Sequence, residues 1–265
     1  MIAVGCSDVT EINLTDEGEI ASLIAELIWF QTKYVEGPED TSNTAGDPIV
    51  PLYWWREWDR EPPFDLNIQM NSERDSAFVM LTLDISGTLH HIALDTAGMV
   101  VDSVDKSIDE SALRYAVFLK DTVETYHNGW RLFKISGAEM NSDNATVKID
   151  SVRLKCSSYP DTVYSDPLAL FSLDEAFTFS PGEGVSLWVY ANYDTADIYF
   201  HSWKGSNWLR WQFANQGSGA YFAVWAAPVE ALVYHSAFDM LHHQTLWDSE
   251  YRYDCNAWLM PYVVE

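Results

Sequence analysis

Over residues 184–227 hydrophobic and polar side chains alternate with a period of two in four successive runs. Val185, Leu187 and Val189 leave one face, and Ser186, Trp188 and Tyr190 leave the other. Ile198 and Phe200 oppose Tyr199, His201 and Trp203, while Leu209, Trp211 and Phe213 oppose Trp208 and Arg210. Phe222 and Val224 oppose Tyr221 and Trp225. Neighbouring strand residues point to opposite faces, so the pattern predicts strands with an aliphatic core side and a ring-bearing polar side. The connections at 192–195, 204–207 and 215–219 are rich in Asn, Asp, Gly and Ser, which predicts hairpin loops and hence an antiparallel meander.

Nearer the N-terminus the period changes. Ile20, Leu23, Ile24, Leu27 and Ile28 recur at helical spacing behind Asp16 and Glu19, which read as an N-cap and its capping partner. An amphipathic helix is expected there, ending at Gly37-Pro38, with a short strand over 1–4 before it and a loop over 36–51 after it. Strands are expected over 64–70, 77–83 and 88–94, with tight turns at 85–88 and 96–98 and a further strand over 99–104. Ser107 and Glu110 read as the opening of a second helix, with Leu113, Ala116, Val117, Lys120, Val123 and Tyr126 inward and Asn128-Gly129 as the stop. Strands follow at 130–135 and 146–156, separated by a loop over 137–144, and a change of period near Ile149-Asp150 predicts a bulge. Residues 246–264 are expected to return and close a sheet.

The fold class that results is α+β, mainly β. Residues 1–140 form a β-sheet region with two amphipathic helices, and residues 141–265 an antiparallel β-sandwich of jelly-roll type. The boundary at 139–144 is soft and leaves room for one continuous domain.

Charge narrows the range of partners. Fifteen basic against forty acidic residues give a net charge of −25, which argues against binding a phosphate backbone, since that needs clustered Lys and Arg. Cys6, Cys156 and Cys255 are odd in number and far apart, so they form neither a disulfide framework nor a metal knuckle; a pairing of Cys6 with Cys255 stays open. No apolar run approaches the roughly 18 residues of a bilayer span, and residues 1–17 lack a basic region followed by an apolar one. Neither a membrane segment nor a secretory signal is expected, which leaves a cytoplasmic or particle-bound location.

The candidate chemistry is sparse. His235 and His242 are seven apart and would share a helical face with Asp239 between them, so His235 and Asp239 with His242 or His243 make the best metal-like cluster. Their spacing lacks the H-E-x-x-H pattern, so a short helix with surface histidines is the expectation, and no metal or cofactor is assigned. His90 and His91 are adjacent in a strand and face opposite ways. No P-loop, nucleophile elbow or dinucleotide fingerprint occurs, and no catalytic residue is assigned. Gly217-Ser218-Gly219 reads as a hairpin tip.

Tryptophan carries the remaining signal. Trp54, Trp55 and Trp58 lie among Arg56, Glu57, Asp59 and Arg60, and together with Trp203 and Trp208 they read as protein–protein interface residues. Tyr199 and Trp225, beside Trp203 and Trp208, form the platform that a sugar-stacking reading would use.

In its β-rich, acidic, tryptophan-rich character without catalytic motifs, the chain resembles phage virion structural proteins, a resemblance of overall style that carries over no site residues. It implies a non-enzymatic capsid, neck or tail subunit that binds other protein subunits, copies of itself included, through its Trp-rich strands. The alternatives are an acidic inhibitor or immunity protein that imitates nucleic acid or caps a basic toxin, and a carbohydrate-binding β-sandwich.

Overall fold

The computed structural model describes residues 15–30, 49–59, 65–95, 98–121, 123, 126–204 and 207–265. The expected strand at 1–4, the loop over 36–48 and Cys6 lie outside the described residues, whereas the first helix ends at Glu26 with Leu27 as its extended C-cap, short of the expected stop at Gly37-Pro38. The first helix, α1 (Asp16–Glu26), buries Ile20, Leu23 and Ile24. Its N-cap is Thr15, whose hydroxyl accepts from the Gly18 N–H at 3.2 Å. Asp16, expected as the cap, instead receives Lys120 Nζ at 2.7 Å and the Trp130 indole at 3.0 Å, which ties the helix to the sheet.

The strands are β1 (Ile49–Trp58), β2 (Asp65–Met70), β3 (Ser76–Asp95), β4 (Val100–Lys120), β5 (Trp130–Ser142), β6 (Ile149–Lys155), β7 (Thr162–Tyr164) and β8 (Phe171–Ser172). They continue with β9 (Phe177–Phe179), β10 (Gly184–Ala191), β11 (Ala196–Lys204), β12 (Asn207–Gln212), β13 (Ala214–Gly217), β14 (Ala220–Ala226), β15 (Val233–His242) and β16 (Cys255–Val264). A second helix, α2 (His243–Trp247), joins the last two. Among the described residues eleven strands build one curled sheet, whose main order is β1-β3-β4-β5-β16-β15-β11-β12. Five others build a second sheet, β13-β14-β10-β6-β7. Nearly every pairing is antiparallel, β9 with β16 being parallel. The large sheet runs through the soft boundary at 139–144 unbroken, because β5 pairs with β16 from the far end of the chain. Among the described residues no helix is long and apolar enough to cross a membrane.

Several expectations change. The second amphipathic helix does not form: residues 107–119 lie within β4, paired in register with β3 from Thr88↔Ser107 to Ser76↔Leu119. Its inward face is Ile108, Glu110, Ala112, Arg114, Ala116 and Phe118, a set with period two. Two ionisable residues on that face broke the apolar alternation, and the remaining apolar residues matched a helix by chance. The turn expected at 85–88 is also absent, since β3 passes straight through it. Gly87 is there for room, because a Cβ would stand 2.2 Å from the Glu57 carbonyl of β1. Residues 96 and 97 of the turn expected at 96–98 lie outside the described residues; at its edges the Asp95 carbonyl accepts from Gly98 N at 2.9 Å and the Asp95 carboxylate from Met99 N at 2.8 Å. The bulge near Ile149-Asp150 is present as well: Tyr190 faces Ser151 and Ala191 faces Ile149, leaving Asp150 extra.

The meander resolves into two layers. β10 pairs with β14 and β6 in the second sheet, whereas β11 pairs with β12 and β15 in the first, so only the hairpin β11–β12 is as expected. On β14 the two faces are the reverse of the reading. Tyr221 and Trp225 lie opposite Val189 and Val185 and are buried with them, while Phe222 is half-buried and Val224 exposed. Residues directly opposite in an antiparallel pair share a face, so the partner strand decided this orientation. The inner faces of the two sheets meet in a core that includes Leu187, Phe200, Trp225, Phe238, Trp258 and Tyr262.

Candidate functional site

Strands β11, β15 and β16 are buried on both faces. Phe200, Phe238 and Trp258 point into the core between the sheets. The alternate residues His201, Asp239 and Ala257 point the other way, into the concave side of the large sheet. That sheet curls until its two ends touch. Arg210 of β12 stands 3.6 Å from the centre of the Trp54 ring on β1, and the Trp54 and Tyr199 rings are 5.4 Å apart. One end of the trough is closed by α1 and Phe30, packed on Val79, Ala116 and Phe118. The other is closed by Leu246 and Trp247 of α2, packed on Leu89 and Ile108.

Between these plugs lies a cavity of about 150 Å³. Small side chains create the room: Ala112, Ala138, Ala257 and Ala237 stand on β4, β5, β16 and β15, where larger residues would fill it. Leu81, Leu83, Met140 and Leu259 make the rest of its middle apolar. Trp54 and Trp58 line one side.

Both ends of the cavity are ionisable. At the first, Arg56 grips Asp239 with Nη1–Oδ2 at 2.8 Å and Nη2–Oδ1 at 2.9 Å, and His201 Nε2 bonds Oδ2 at 2.9 Å. The Cys255 thiol points at Asp239 Oδ1 from 3.3 Å. Arg56 Nε donates to the Tyr253 hydroxyl at 2.8 Å, and that hydroxyl donates to Glu110. Burial alone would push the Asp239 carboxyl up, but Arg56 and His201 hold it well below the usual carboxylate range. Burial pushes Glu110 up and His201 down, which favours the neutral form of each. Burial likewise raises Cys255 well above an ordinary thiol, so it is held protonated.

At the second end stand Arg114 and His235. Arg114, 6% exposed, donates Nη1 to the Trp29 carbonyl at 2.9 Å and Nε to the Gly137 carbonyl at 3.3 Å. His235 Nε2 bonds the Ile28 carbonyl at 2.8 Å. Carbonyls beside Phe30 therefore anchor both groups. Burial pushes Arg114 down to about 10 and His235 down to about 4.

Five polar atoms of the cavity lining are buried without a protein partner: Glu110 Oε2, Arg114 Nη2, His201 Nδ1, Arg210 Nε and His235 Nδ1. Leaving a buried donor or acceptor unmade costs about 1–3 kcal/mol each. Together that is on the order of 5–15 kcal/mol, as large as the stability of a whole domain. Among the described residues four further buried polar atoms, on His91, Trp225 and Trp258, also lack a partner but lie outside the cavity lining.

The residues singled out by sequence are dispersed. Trp54 is buried and lines the cavity with Trp58; Trp55 lies on the other face of β1, stacked between Tyr53 at 5.2 Å and His90 at 4.9 Å. Trp203 and Trp208 pair across the hairpin β11–β12. Tyr199 packs on Trp54, and Trp225, 1% exposed, is a core residue that offers no face to a sugar. The cluster His235, Asp239 and His242 does not assemble. The segment is a strand, so His235 and Asp239 share the cavity face and His242 points away. Among the described residues no group of three or more His, Cys, Asp or Glu is placed to hold a metal. Cys255 is a buried free thiol. The reading missed the inward charges Arg56, Glu110, Arg114 and Arg210. Their signal was present as ionisable residues at every second position of otherwise apolar strands, but alternation alone does not tell solvent from an internal cavity.

Comparison with protein-family models, with curated proteins and with solved structures finds no match for this chain.

Proposed function

We propose that this chain is a binding protein for a small organic molecule, held inside the curled sheet with its apolar body against the alanine-lined middle and polar groups at the ends. One observation carries the reading: five partnerless polar atoms stand at the ionisable ends of a cavity whose middle is apolar. Water satisfies stranded polar atoms, yet an apolar middle gives it few partners, whereas a molecule of mixed character fits both. A space of about 150 Å³ matches a body of roughly benzene size. Binding rather than turnover is favoured by the state of the groups, since Asp239 is fully engaged by Arg56 and His201 and Cys255 is a buried thiol.

The test is ligand-observed NMR with toluene, phenol and benzyl alcohol, alongside tryptophan fluorescence, which Trp54 and Trp58 should report. Binding is expected in the unmodified chain and is expected to vanish in Ala257→Leu with the fold retained by circular dichroism. No binding by any probe, or equal binding in the filled variant, would sink the reading.

A second reading, a subunit of a larger assembly such as a phage virion, draws on the outer face of β1. This is an end strand of the sheet that carries the half-buried stack of Tyr53, Trp55 and His90. On that reading the two facing layers are a β-sandwich of jelly-roll type covered by neighbouring copies. A monomeric mass in solution at high concentration, unchanged by Trp55→Ala, would count against it.

A further inference from the structure

Charge pairing is uneven among the arginines of the cavity. Among the described residues no carboxylate forms an ion pair with Arg114, which is 6% exposed and has Nη2 unpartnered. The other cavity arginines differ: Arg56 is neutralised by Asp239, and Arg210 spreads over the Trp54 ring near the same carboxylate. The chain has a net charge of −25, yet among the described residues no carboxylate is paired with this guanidinium. A buried charge without a partner is costly, by several kcal/mol after relaxation, and carbonyl contacts offset only part of that. The empty position is therefore complementary to an anion.

Geometry refines its type. Arg114 Nη2 offers a donor, and beside it His235 spends Nε2–H on the Ile28 carbonyl, leaving Nδ1 free in the same space. When an anion arrives and the ring takes up a proton, Nδ1 becomes the second N–H donor of the ring. A planar carboxylate meets two such donors with its two oxygens, and the small apolar middle has room for one ring or a short alkyl chain. We propose that the ligand of this cavity is a small monocarboxylic acid, its carboxylate received between Arg114 and His235 and its apolar body lying against Ala138, Ala237 and Leu259. This rests on the cavity being a binding site, as proposed above.

The experiment compares probes with one body and different heads on the full chain. Benzoate, benzamide and benzylamine are titrated by calorimetry at pH 7, with hexanoate and hexan-1-ol as a second pair. Benzoate is expected to bind at least tenfold more tightly than benzamide, and benzylamine not measurably. In Arg114→Met the benzoate advantage is expected to disappear while benzamide binds within a few-fold of its former affinity. Benzoate binding is expected to take up protons, seen as a dependence of the apparent enthalpy on buffer, and His235→Gln to abolish that uptake. Amide, amine and acid binding alike would overturn the assignment and leave the cavity reading intact, whereas binding by none would overturn both. A preference for acid that survives Arg114→Met but is lost in Arg210→Met would overturn the placement at Arg114. The acid–amide comparison needs no variant, so it decides even if Arg114→Met fails to fold.

Discussion

Strands β11, β15 and β16 separate two interiors made by the same backbone and built to opposite rules. On one side Phe200, Phe238, Trp258 and Tyr262 meet the second sheet in a core filled by large rings, with Trp225 wedged 5.1 Å from Phe200 and 5.4 Å from Tyr262. On the other side the alternate residues are small or ionisable, and they leave a cavity. The first side holds the layers together; the second forgoes packing to keep space and charge. A protein interior is normally filled to crystal-like density, so a region that departs from this, only one side chain away from a region that obeys it, points to use.

Substitutions on the two faces should therefore behave in opposite ways. The largest effect is expected at the ionic end. Asp239→Ala strands Arg56 and should cost about 3–5 kcal/mol by urea denaturation. The double change Arg56→Met with Asp239→Leu should cost far less, because no charge is left alone. If the double variant is no more stable than the single one, the pair is not the electrostatic unit described.

Next comes size. Leu187→Ala in the filled core is expected to lose about 2–5 kcal/mol. Ala257→Leu or Ala237→Val on the cavity side is expected to lose less than about 1.5 kcal/mol, or to gain. Equal losses on both sides would erase the contrast.

The pH effect is smaller. His91 is fully buried with both ring nitrogens unpartnered, and burial, aided by Lys106, pushes it down to about 4. Its folded pKa lies below the unfolded value near 6.5, so the unfolded chain takes up the proton first and stability falls as pH drops from about 6.5 towards 4. One such group contributes at most about 1.4 kcal/mol per pH unit. His91→Leu should lessen the fall of urea midpoints over that window, leaving the share of His201 and His235, which burial also pushes down. Glu110 acts in the opposite direction, since its carboxyl is pushed up by burial, and Glu110→Gln isolates its share. A slope unchanged in His91→Leu would remove His91 from the account.

The smallest effect lies at the plug. Thr15→Ala removes the cap of α1 and should cost about 1 kcal/mol, with faster hydrogen exchange confined to α1. A loss spread over β11, β15 and β16 would show that the plug and the separating strands are one unit.

Local chemistry made some features legible. The helical spacing of Ile20, Leu23 and Ile24, the bulge at Asp150 and the hairpin tip at Gly217-Ser218-Gly219 needed only neighbouring residues, and each is present. The period of two in residues 184–227 correctly marked strands. It could not say which strand lies beside which, so β10 and β14 came together across three intervening strands and turned Trp225 inward. In β4 the inward Glu110 and Arg114 disguised a strand as a helix.

What the residues alone determined is the abundance of antiparallel strands and the acidic exterior, because side-chain alternation and charge are properties of the chain read one neighbour at a time. Only the tertiary structure decided that the polar face of β11, β15 and β16 looks into the concave side of its own curled sheet. Alternation records that two faces differ, while the curl that brings Trp54 beneath Arg210 depends on residues 156 positions apart.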